Sequence, residues 1–169
     1  QSTARISELV AAVKAYTYMD RGSRQEVDVH AGLESTLLIL GHKLQDIKVE
    51  RDYEDDLPAI EAFGGELNEV WTNLLDNAID GLGEEGGRIR IHTWREGPRV
   101  AVEIADDGPG IPEEVRPFLF RSFYTSKKPG QGTGMGLTIV YQIVAQRHGG
   151  EITVTSQPGD TRFRIYLPI

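Results

Sequence analysis

The amino-acid sequence predicts an α+β fold, in which a mixed and largely antiparallel sheet carries its helices on one face. The first observation is residues 65–82, where apolar residues recur at helical spacing along the whole segment. The second is a pair of alternating segments, 88–94 and 99–105, separated by a short turn that is typical of a β-hairpin. The third is a similar pair near the end of the chain, 151–156 and 161–167.

The other elements of this domain follow from the same patterns. A strand, a helix, a second strand and a loop with a short extended piece are predicted over residues 26–30, 31–44, 45–53 and 57–63. A further helix is predicted over residues 136–147, because its apolar positions share one face. His148 and two glycines close that helix.

The N-terminal residues form a separate unit in this interpretation. Residues 5–19 have apolar side chains close to a helical stripe, and residues 20–25 have the composition of a linker. We expect residues 1–22 to be the end of a helical bundle and residues 25–169 to be the main domain. A helix packed on its own domain is the alternative. The chain begins at Gln1 rather than Met, which suggests a fragment.

Composition excludes several classes of protein. The formal net charge is -8, which argues against nonspecific binding of nucleic acid, because such binding needs Lys and Arg to neutralise phosphates. There is no cysteine, so disulfides and cysteine metal sites are excluded. No apolar run approaches the roughly 20 residues that span a membrane, and no signal peptide is visible. We expect a cytoplasmic domain, and leave open membrane attachment of the full-length protein through other segments.

A long loop, residues 106–137, contains two glycine clusters with an aromatic and basic segment between them. Long loops in compact domains are usually functional or disordered, and we interpret this one as the wall and lid of a nucleotide site. The second cluster opens a helix, where exposed backbone N–H groups favour anions. Lys127 and Lys128, just upstream, either reach a terminal phosphate or form a solvated surface pair.

Two asparagines interrupt the apolar face of the strongest predicted helix. Asn73 and Asn77 are four residues apart, so both side chains project on one side. Their amides either form hydrogen bonds to neighbouring loops or turn carbonyl oxygens toward a hard cation such as Mg²⁺. The residues alone leave both interpretations open.

A carboxylate follows the apolar strand that precedes the first glycine cluster. Asp107 at a strand end, followed by Gly108 and Gly110, is able to accept a hydrogen bond from a purine amino group. Asp-Gly is also a common turn dipeptide, and for these residues alone the turn is the simpler interpretation.

The motifs taken together resemble the ATP-binding catalytic domain of sensor histidine kinases, a superfamily shared with gyrase, a heat-shock chaperone and mismatch-repair ATPases. NEVWTNLLDNAID resembles the N box, DDGPGIP the first glycine box, FLFRSFYTSKK the phenylalanine box, and GQGTGMGLTIV the second glycine box. HGGEITV and GDTRFRIYLP resemble the closing strands. The resemblance implies a two-layer α/β sandwich of the Bergerat type, preceded by a helix of a dimerisation bundle.

The resemblance also implies roles for single residues, with ATP and Mg²⁺ as cofactors. Asn77 is expected to bind Mg²⁺, with Asn73 nearby, and Asp107 to bind the adenine amino group. Thr161 is expected to support the adenine, and Lys127 or Lys128 to contact the γ-phosphate. The other expected nucleotide contacts are Gly108, Gly110, Ile111, Gly132, Thr133, Gly134, Met135, Gly136 and Leu137.

Two departures from the family pattern matter. Asn73 stands where the gyrase-like ATPases have a water-activating glutamate, which favours the kinase branch. None of His30, His42, His92 and His148 has the sequence context of a phosphoacceptor, so we expect that histidine to lie outside this chain.

The resemblance implies a histidine kinase that transfers the ATP γ-phosphate to a histidine on an upstream bundle. Expected partners are that bundle, a sensor region, a second copy of the full-length protein and the receiver domain of a response regulator. An ATPase of the same superfamily and a noncatalytic nucleotide-binding module are the alternatives.

Overall fold

The computed structural model describes residues 23–83, 86–112, 114 and 136–169. The predicted N-terminal helix lies outside the described residues, and so do Lys127, Lys128, Gly132, Thr133, Gly134 and Met135. The strands are β1 (Gln25–Val27), β2 (Ile47–Tyr53), β3 (Ile60–Ala62), β4 (Gly87–Glu96), β5 (Arg99–Asp106), β6 (Glu151–Gln157) and β7 (Asp160–Pro168). The helices are α1 (Val29–Ile39), α2 (Gly64–Leu82) and α3 (Gly136–Tyr141), and α3 continues as a π-helical segment, Gln142–Arg147.

Five strands form the main sheet, in the order β2-β4-β5-β7-β6. Only the β2–β4 pair among these is parallel, and the other three pairs are antiparallel. Strands β1 and β3 form a separate antiparallel pair. The predicted α+β class with a mixed, mostly antiparallel sheet is therefore confirmed.

The core lies between one face of the sheet and the helices. Helix α2 buries a continuous stripe that includes Leu67, Trp71, Leu74 and Leu75, each at most 1% exposed. Alternate residues of β4, β5 and β7 meet this stripe, because side chains on a strand point to opposite faces in turn. The inward-facing set comprises Ile89, Ile91, Val100, Val102, Ile104, Phe163, Ile165 and Leu167. Helix α2 therefore provides the surface that links the sheet to α1 and α3.

The predicted strand over residues 26–30 is wrong in its second half. The strand β1 ends at Val27, and Asp28 is the N-cap of α1. Its carboxylate accepts hydrogen bonds from the N–H groups of His30 (2.9 Å) and Ala31 (3.3 Å). This cap satisfies two N–H groups that the start of a helix leaves unpaired, so the helix begins where alternation suggested a strand. His30 accordingly lies on a helix.

The predicted helix over residues 31–44 is also too long. Helix α1 ends at Ile39, and a short 3-10 turn, Gly41–Lys43, follows it. Strand β2 begins at Ile47, two residues later than predicted. Glycine at position 41 disfavours continuation of the helix, since it loses the most conformational freedom on folding.

Candidate nucleotide-binding site

A row of four residues crosses the helix-facing side of the sheet at one end. Ile89, Asp106, Thr161 and Ser156 are successive cross-strand neighbours on β4, β5, β7 and β6. Each lies two residues from an inward-facing apolar residue, so its side chain points to the same face. Polar groups thus replace the apolar core at this end of the sheet.

Asp106 is the carboxylate of this row. Its Oδ1 accepts a hydrogen bond from the Gly108 N–H at 3.0 Å. Burial is the main cause that raises the pKa of Asp106 to about 6, and the nearby Asp107 and Asp160 also raise it, while the Gly108 hydrogen bond lowers it. A Cβ atom at Gly108 would lie 2.8 Å from the Gly81 carbonyl oxygen and 3.0 Å from Asp106 Oδ1. Glycine is therefore required where the loop passes this carboxylate.

Asp107 has a different environment, although it is the next residue. It is exposed, and its Oδ1 accepts a hydrogen bond from the Arg88 N–H at 2.9 Å. Its own N–H donates to the Arg88 carbonyl oxygen at 3.3 Å. Asp107 therefore fastens the loop to the start of β4. The strand alternation that places Val102 and Ile104 inward also predicts that Asp106 faces the helices, whereas the sequence motif drew attention only to Asp107.

The first glycine cluster is bonded to the β6–β7 hairpin. The Gly159 N–H donates to the Gly108 carbonyl oxygen at 2.8 Å, and the Ile111 N–H donates to Ser156 Oγ at 2.7 Å. Gly110 has a φ of 95°, which favours glycine, and a Cβ atom there would lie 3.0 Å from the Gln157 carbonyl group. These contacts place Gly108, Gly110 and Ile111 close to the row that contains Asp106 and Thr161.

The two asparagines of α2 lie farther toward its N-terminus than Gly81. Asn73 Nδ2 donates to the Glu69 carbonyl oxygen at 3.0 Å, and its Oδ1 would lie 3.0 Å from a Cβ atom placed on Gly136. Asn77 is half-buried one turn further along the helix. Gly136 and Leu137, the described part of the second glycine cluster, thus begin α3 against the asparagine end of α2.

Helix α2 therefore connects two ends of one site. Asn73 lies beside Gly136, and Gly81 lies beside Asp106, where a Cβ atom on Gly81 would be 3.9 Å from Oδ1. Eight residues of α-helix separate the two glycine contacts, which is roughly 12 Å at 1.5 Å per residue. The amide groups and the carboxylate are thus held at a fixed spacing along one helix.

A cluster of side chains ties the first turn of α2 to the end of the π-helical segment. His148 is 4% exposed, its Nε2 accepts from the Phe63 N–H at 3.1 Å, and its Nδ1 donates to the Ile143 carbonyl oxygen at 2.8 Å. Burial lowers the pKa of His148, which favours this neutral form. Arg147 pairs with Glu66 at 2.8 Å and covers the Phe63 ring at 4.3 Å. This cluster fixes α2 relative to α3.

An open cleft of about 270 Å³ adjoins the same end of the sheet. Arg90, Ala105 and Arg162 line it from the helix-free face, because they alternate with the inward-facing residues. Asp106 and Asp107 also line this cleft, at the end of β5 where the loop begins. Asn73 and Asn77 are on the helix side. We therefore assign the candidate site to the helix side, where the amides, the carboxylate and both described glycine segments converge.

Within residues 23–83, 86–112, 114 and 136–169, no group of three His, Asp or Glu side chains is arranged to hold a metal ion. An amide oxygen such as that of Asn77 is a type of ligand that suits Mg²⁺, an ion that binds through one or two protein oxygens together with water and substrate phosphates. In the same described ranges, no helix has the length and apolar character to cross a membrane.

The fold and this site define a class of ATP-binding protein. The chain belongs to the family of histidine kinase-, DNA gyrase B- and HSP90-like ATPases, whose model matches residues 64–169. That range contains both asparagines, both glycine clusters and Thr161.

Individual relatives and solved structures with high similarity to this chain are histidine kinases. The sensory histidine kinase/phosphatase NtrB of Escherichia coli O157:H7 is 34% identical over 159 residues, which cover 88% of this chain and 45% of NtrB. The catalytic domain of the histidine kinase ThkA superimposes with a TM-score of 0.77 at 26% identity, covering 87% of this chain and 96% of that domain. Full-length ShkA, solved with AMPPNP, has a TM-score of 0.75 at 26% identity, covering 95% of this chain and 35% of ShkA. The chain is thus an ATP-binding domain of this family, and it is similar to the catalytic domains of sensor histidine kinases.

Proposed function

We propose that this chain binds Mg·ATP along α2, with the adenine at Asp106 and the phosphates at the asparagine end. The observation that carries the proposal is the spacing between two close approaches along that helix. Asn73 lies beside Gly136 at one of them, and Gly81 lies beside Asp106 at the other. ShkA, which shares this fold, has been solved in complex with AMPPNP. The proposal divides the site into a base end and a phosphate end.

At the base end, we propose Asp106 in place of Asp107 as the acceptor for the adenine amino group. Asp106 shares the helix-facing row with Thr161, whereas Asp107 is exposed and bonded to the Arg88 backbone. A carboxylate only accepts hydrogen bonds when it is ionised, so it selects a base with an amino donor. Gly108 allows the loop to approach this carboxylate closely, Gly110 allows it to pack on the Gln157 backbone, and Ile111 packs against the core.

At the phosphate end, we propose that the Asn77 amide oxygen holds Mg²⁺, which would neutralise phosphate charge. Asn73 lies one turn away, with its Oδ1 directed at the start of α3. Backbone N–H groups at Gly136 and Leu137 would contact the phosphates. The same role for Gly132, Thr133, Gly134 and Met135, and the γ-phosphate contact of Lys127 or Lys128, remain predictions, since these residues lie outside the described ranges.

The chain spans less than half of NtrB, so the activity of the whole protein is part of the proposal. We propose that the full-length protein transfers the ATP γ-phosphate to a histidine outside this chain. Residues 1–22 would belong to the dimerisation bundle that carries this histidine, and the protein would act as a homodimer. ThkA is known in complex with the response regulator protein TrrA, and a receiver domain of that kind is the proposed next phosphoacceptor here.

The asparagine at position 73 favours phosphotransfer over hydrolysis of ATP. Its amide does not accept a proton near neutral pH, so it does not act as a general base toward water. Positioning and charge neutralisation then remain as the contributions of this chain to phosphoryl transfer. Slow hydrolysis of ATP by the isolated chain is the expected consequence.

Two measurements test the proposal. Isothermal titration of the chain with AMPPNP, with and without Mg²⁺, should show binding that Mg²⁺ strengthens, and absence of binding would refute the proposed site. A longer chain that includes the upstream bundle should acquire acid-labile label from γ-labelled ATP on histidine. Steady ATP hydrolysis by the isolated chain, lost in Asn73→Ala, would instead identify an ATPase.

A further inference from the structure

The hydroxyl group of Ser156 lies at the junction of three segments of the base end. Its Oγ is 2.7 Å from the Ile111 backbone nitrogen, which donates to it, and 2.8 Å from Thr161 Oγ1. Ser156 belongs to β6, Thr161 to β7, and Ile111 to the loop that follows β5. One side chain therefore joins the glycine loop to both strands of the closing hairpin.

This junction is shielded from solvent. Ser156 is 9% exposed and Thr161 is 4% exposed. Hydrogen bonds in a buried setting are costly to leave unmade, because bulk water does not replace the lost partner. The Ser156 contacts therefore restrict both the Ile111 backbone and the Thr161 hydroxyl.

The restrained loop is the one that orients Asp106. The Gly108 N–H holds Asp106 Oδ1, and Gly108 and Ile111 are only three residues apart. The Gly108 carbonyl oxygen is held by the Gly159 N–H of the same hairpin. Ser156 thus acts on the carboxylate through the loop and on Thr161 directly, although it lies on an edge strand.

We propose that Ser156 is a positioning residue for recognition of the base, which sets the selectivity of the site for purines that carry an amino group. The inference rests on the proposed function, since it places the adenine at Asp106 and Thr161. Ser156 contributes the alignment of these two groups, and the phosphates bind independently of it at the other end of α2.

The test compares ATP with ITP, whose base carries an oxygen in place of the amino group. Titration calorimetry should give the wild-type chain a clear preference for ATP. Ser156→Ala should weaken ATP binding by about threefold to tenfold, the effect of losing about one hydrogen bond. ITP binding should change less, because ITP does not use the Asp106 acceptor, so the preference should shrink. Ser156→Cys keeps a similar size but has a weaker acceptor, so its preference for ATP should lie between those of the wild type and Ser156→Ala.

Two controls separate positioning from general stability. Thr155→Ala changes the neighbouring exposed residue of β6, on the other face, and should leave the preference unchanged. In a double-mutant cycle, Ser156→Ala and Thr161→Val should lose less ATP affinity together than the product of their separate losses. Thermal unfolding of each variant shows whether it remains folded.

The outcomes distinguish the two proposals. If the wild-type chain binds neither nucleotide, the proposed function and this inference both fail. If it prefers ATP while Ser156→Ala and Ser156→Cys retain the full preference, Ser156 does not position the base-recognition groups. Equal losses for ATP and ITP, with no coupling to Thr161, would show a purely structural role and also overturn the inference.

Discussion

Asp106 and Thr161 are cross-strand neighbours on β5 and β7, and both side chains lie on the helix-facing side of the sheet. The adjacent Asp107 is exposed and is bonded to the Arg88 backbone. Two consecutive carboxylates therefore have different environments, because alternation along a strand turns them to different sides.

Asp106→Asn and Asp107→Asn form a matched pair of variants. Asp106→Asn should weaken ATP binding by about tenfold to a hundredfold, since a hydrogen bond to a charged acceptor contributes about 1.5–3 kcal/mol. Asp107→Asn keeps an oxygen for the Arg88 N–H and should bind ATP almost as the wild type does. Titration calorimetry measures both. Equal affinities for the two variants would contradict the assignment. A larger loss of ATP affinity in Asp107→Asn would instead identify Asp107 as the acceptor for the adenine amino group.

The affinity for ATP should depend on pH through Asp106. Its pKa in the folded chain is about 6, so the acceptor is ionised above pH 6 and becomes protonated as the pH falls through 6. ATP binding should therefore weaken between about pH 7 and 5, and Asp106→Asn should remove this dependence. The pH profile of the Kd for AMPPNP in both chains checks the prediction. Adenosine serves as the comparison ligand, because it lacks titrating phosphates.

The raised pKa of Asp106 also affects the stability of the fold, with a pH dependence opposite to that of the ATP affinity. The folded chain binds a proton on Asp106 more readily than the unfolded chain does, so ionised Asp106 disfavours folding above pH 6 and this effect disappears as the pH falls. Asp106→Asn should consequently unfold at the same denaturant concentration as the wild type at pH 8, or at a higher one. A large loss of stability in this variant would show that the charged carboxylate supports the fold.

Asn77→Ala should remove most of the Mg²⁺-dependent gain in ATP affinity while leaving metal-free binding nearly unchanged. The reason is that alanine lacks the amide oxygen proposed for the cation, and the base contacts are on other elements. Titrations with and without Mg²⁺ give the comparison. Asp76→Asn is the matched control, because Asp76 neighbours Asn77 and forms a surface ion pair with Lys43 at 3.0 Å. A full Mg²⁺ effect in Asn77→Ala would exclude this residue as the ligand.

His148→Ala should destabilise the fold by about 1–3 kcal/mol, because it leaves the Phe63 N–H without its acceptor. His148 also contributes stability that is lost as the pH falls below about 6.5, the ordinary pKa of histidine, since the unfolded chain takes up a proton that buried His148 resists. Urea unfolding between pH 5 and 8 measures both effects. His42→Ala, at an exposed histidine, is the control. An unchanged pH slope in His148→Ala would contradict the assignment.

Much of the architecture was predictable because its signals are local. The stripe of α2 and the alternation of β4, β5, β6 and β7 gave elements that the structure confirms within one or two residues. The boundaries near Asp28 and Gly41 were predicted wrongly. There, a side-chain cap and a helix end outweigh the periodicity, and both depend on hydrogen bonds that a hydrophobic pattern does not encode.

By itself the sequence determined the class of protein, since the order of its boxes and the spacing of Asn73 and Asn77 are properties of the linear chain. Only the tertiary structure decided which aspartate faces the helices, which hydroxyl holds the glycine loop, and how α2 is fixed at its start. Asp106, Ser156 and His148 act through partners that are 2 to 85 residues away in the sequence. Such pairings arise from strand register and burial, which exist only once the sheet and the helices have packed together.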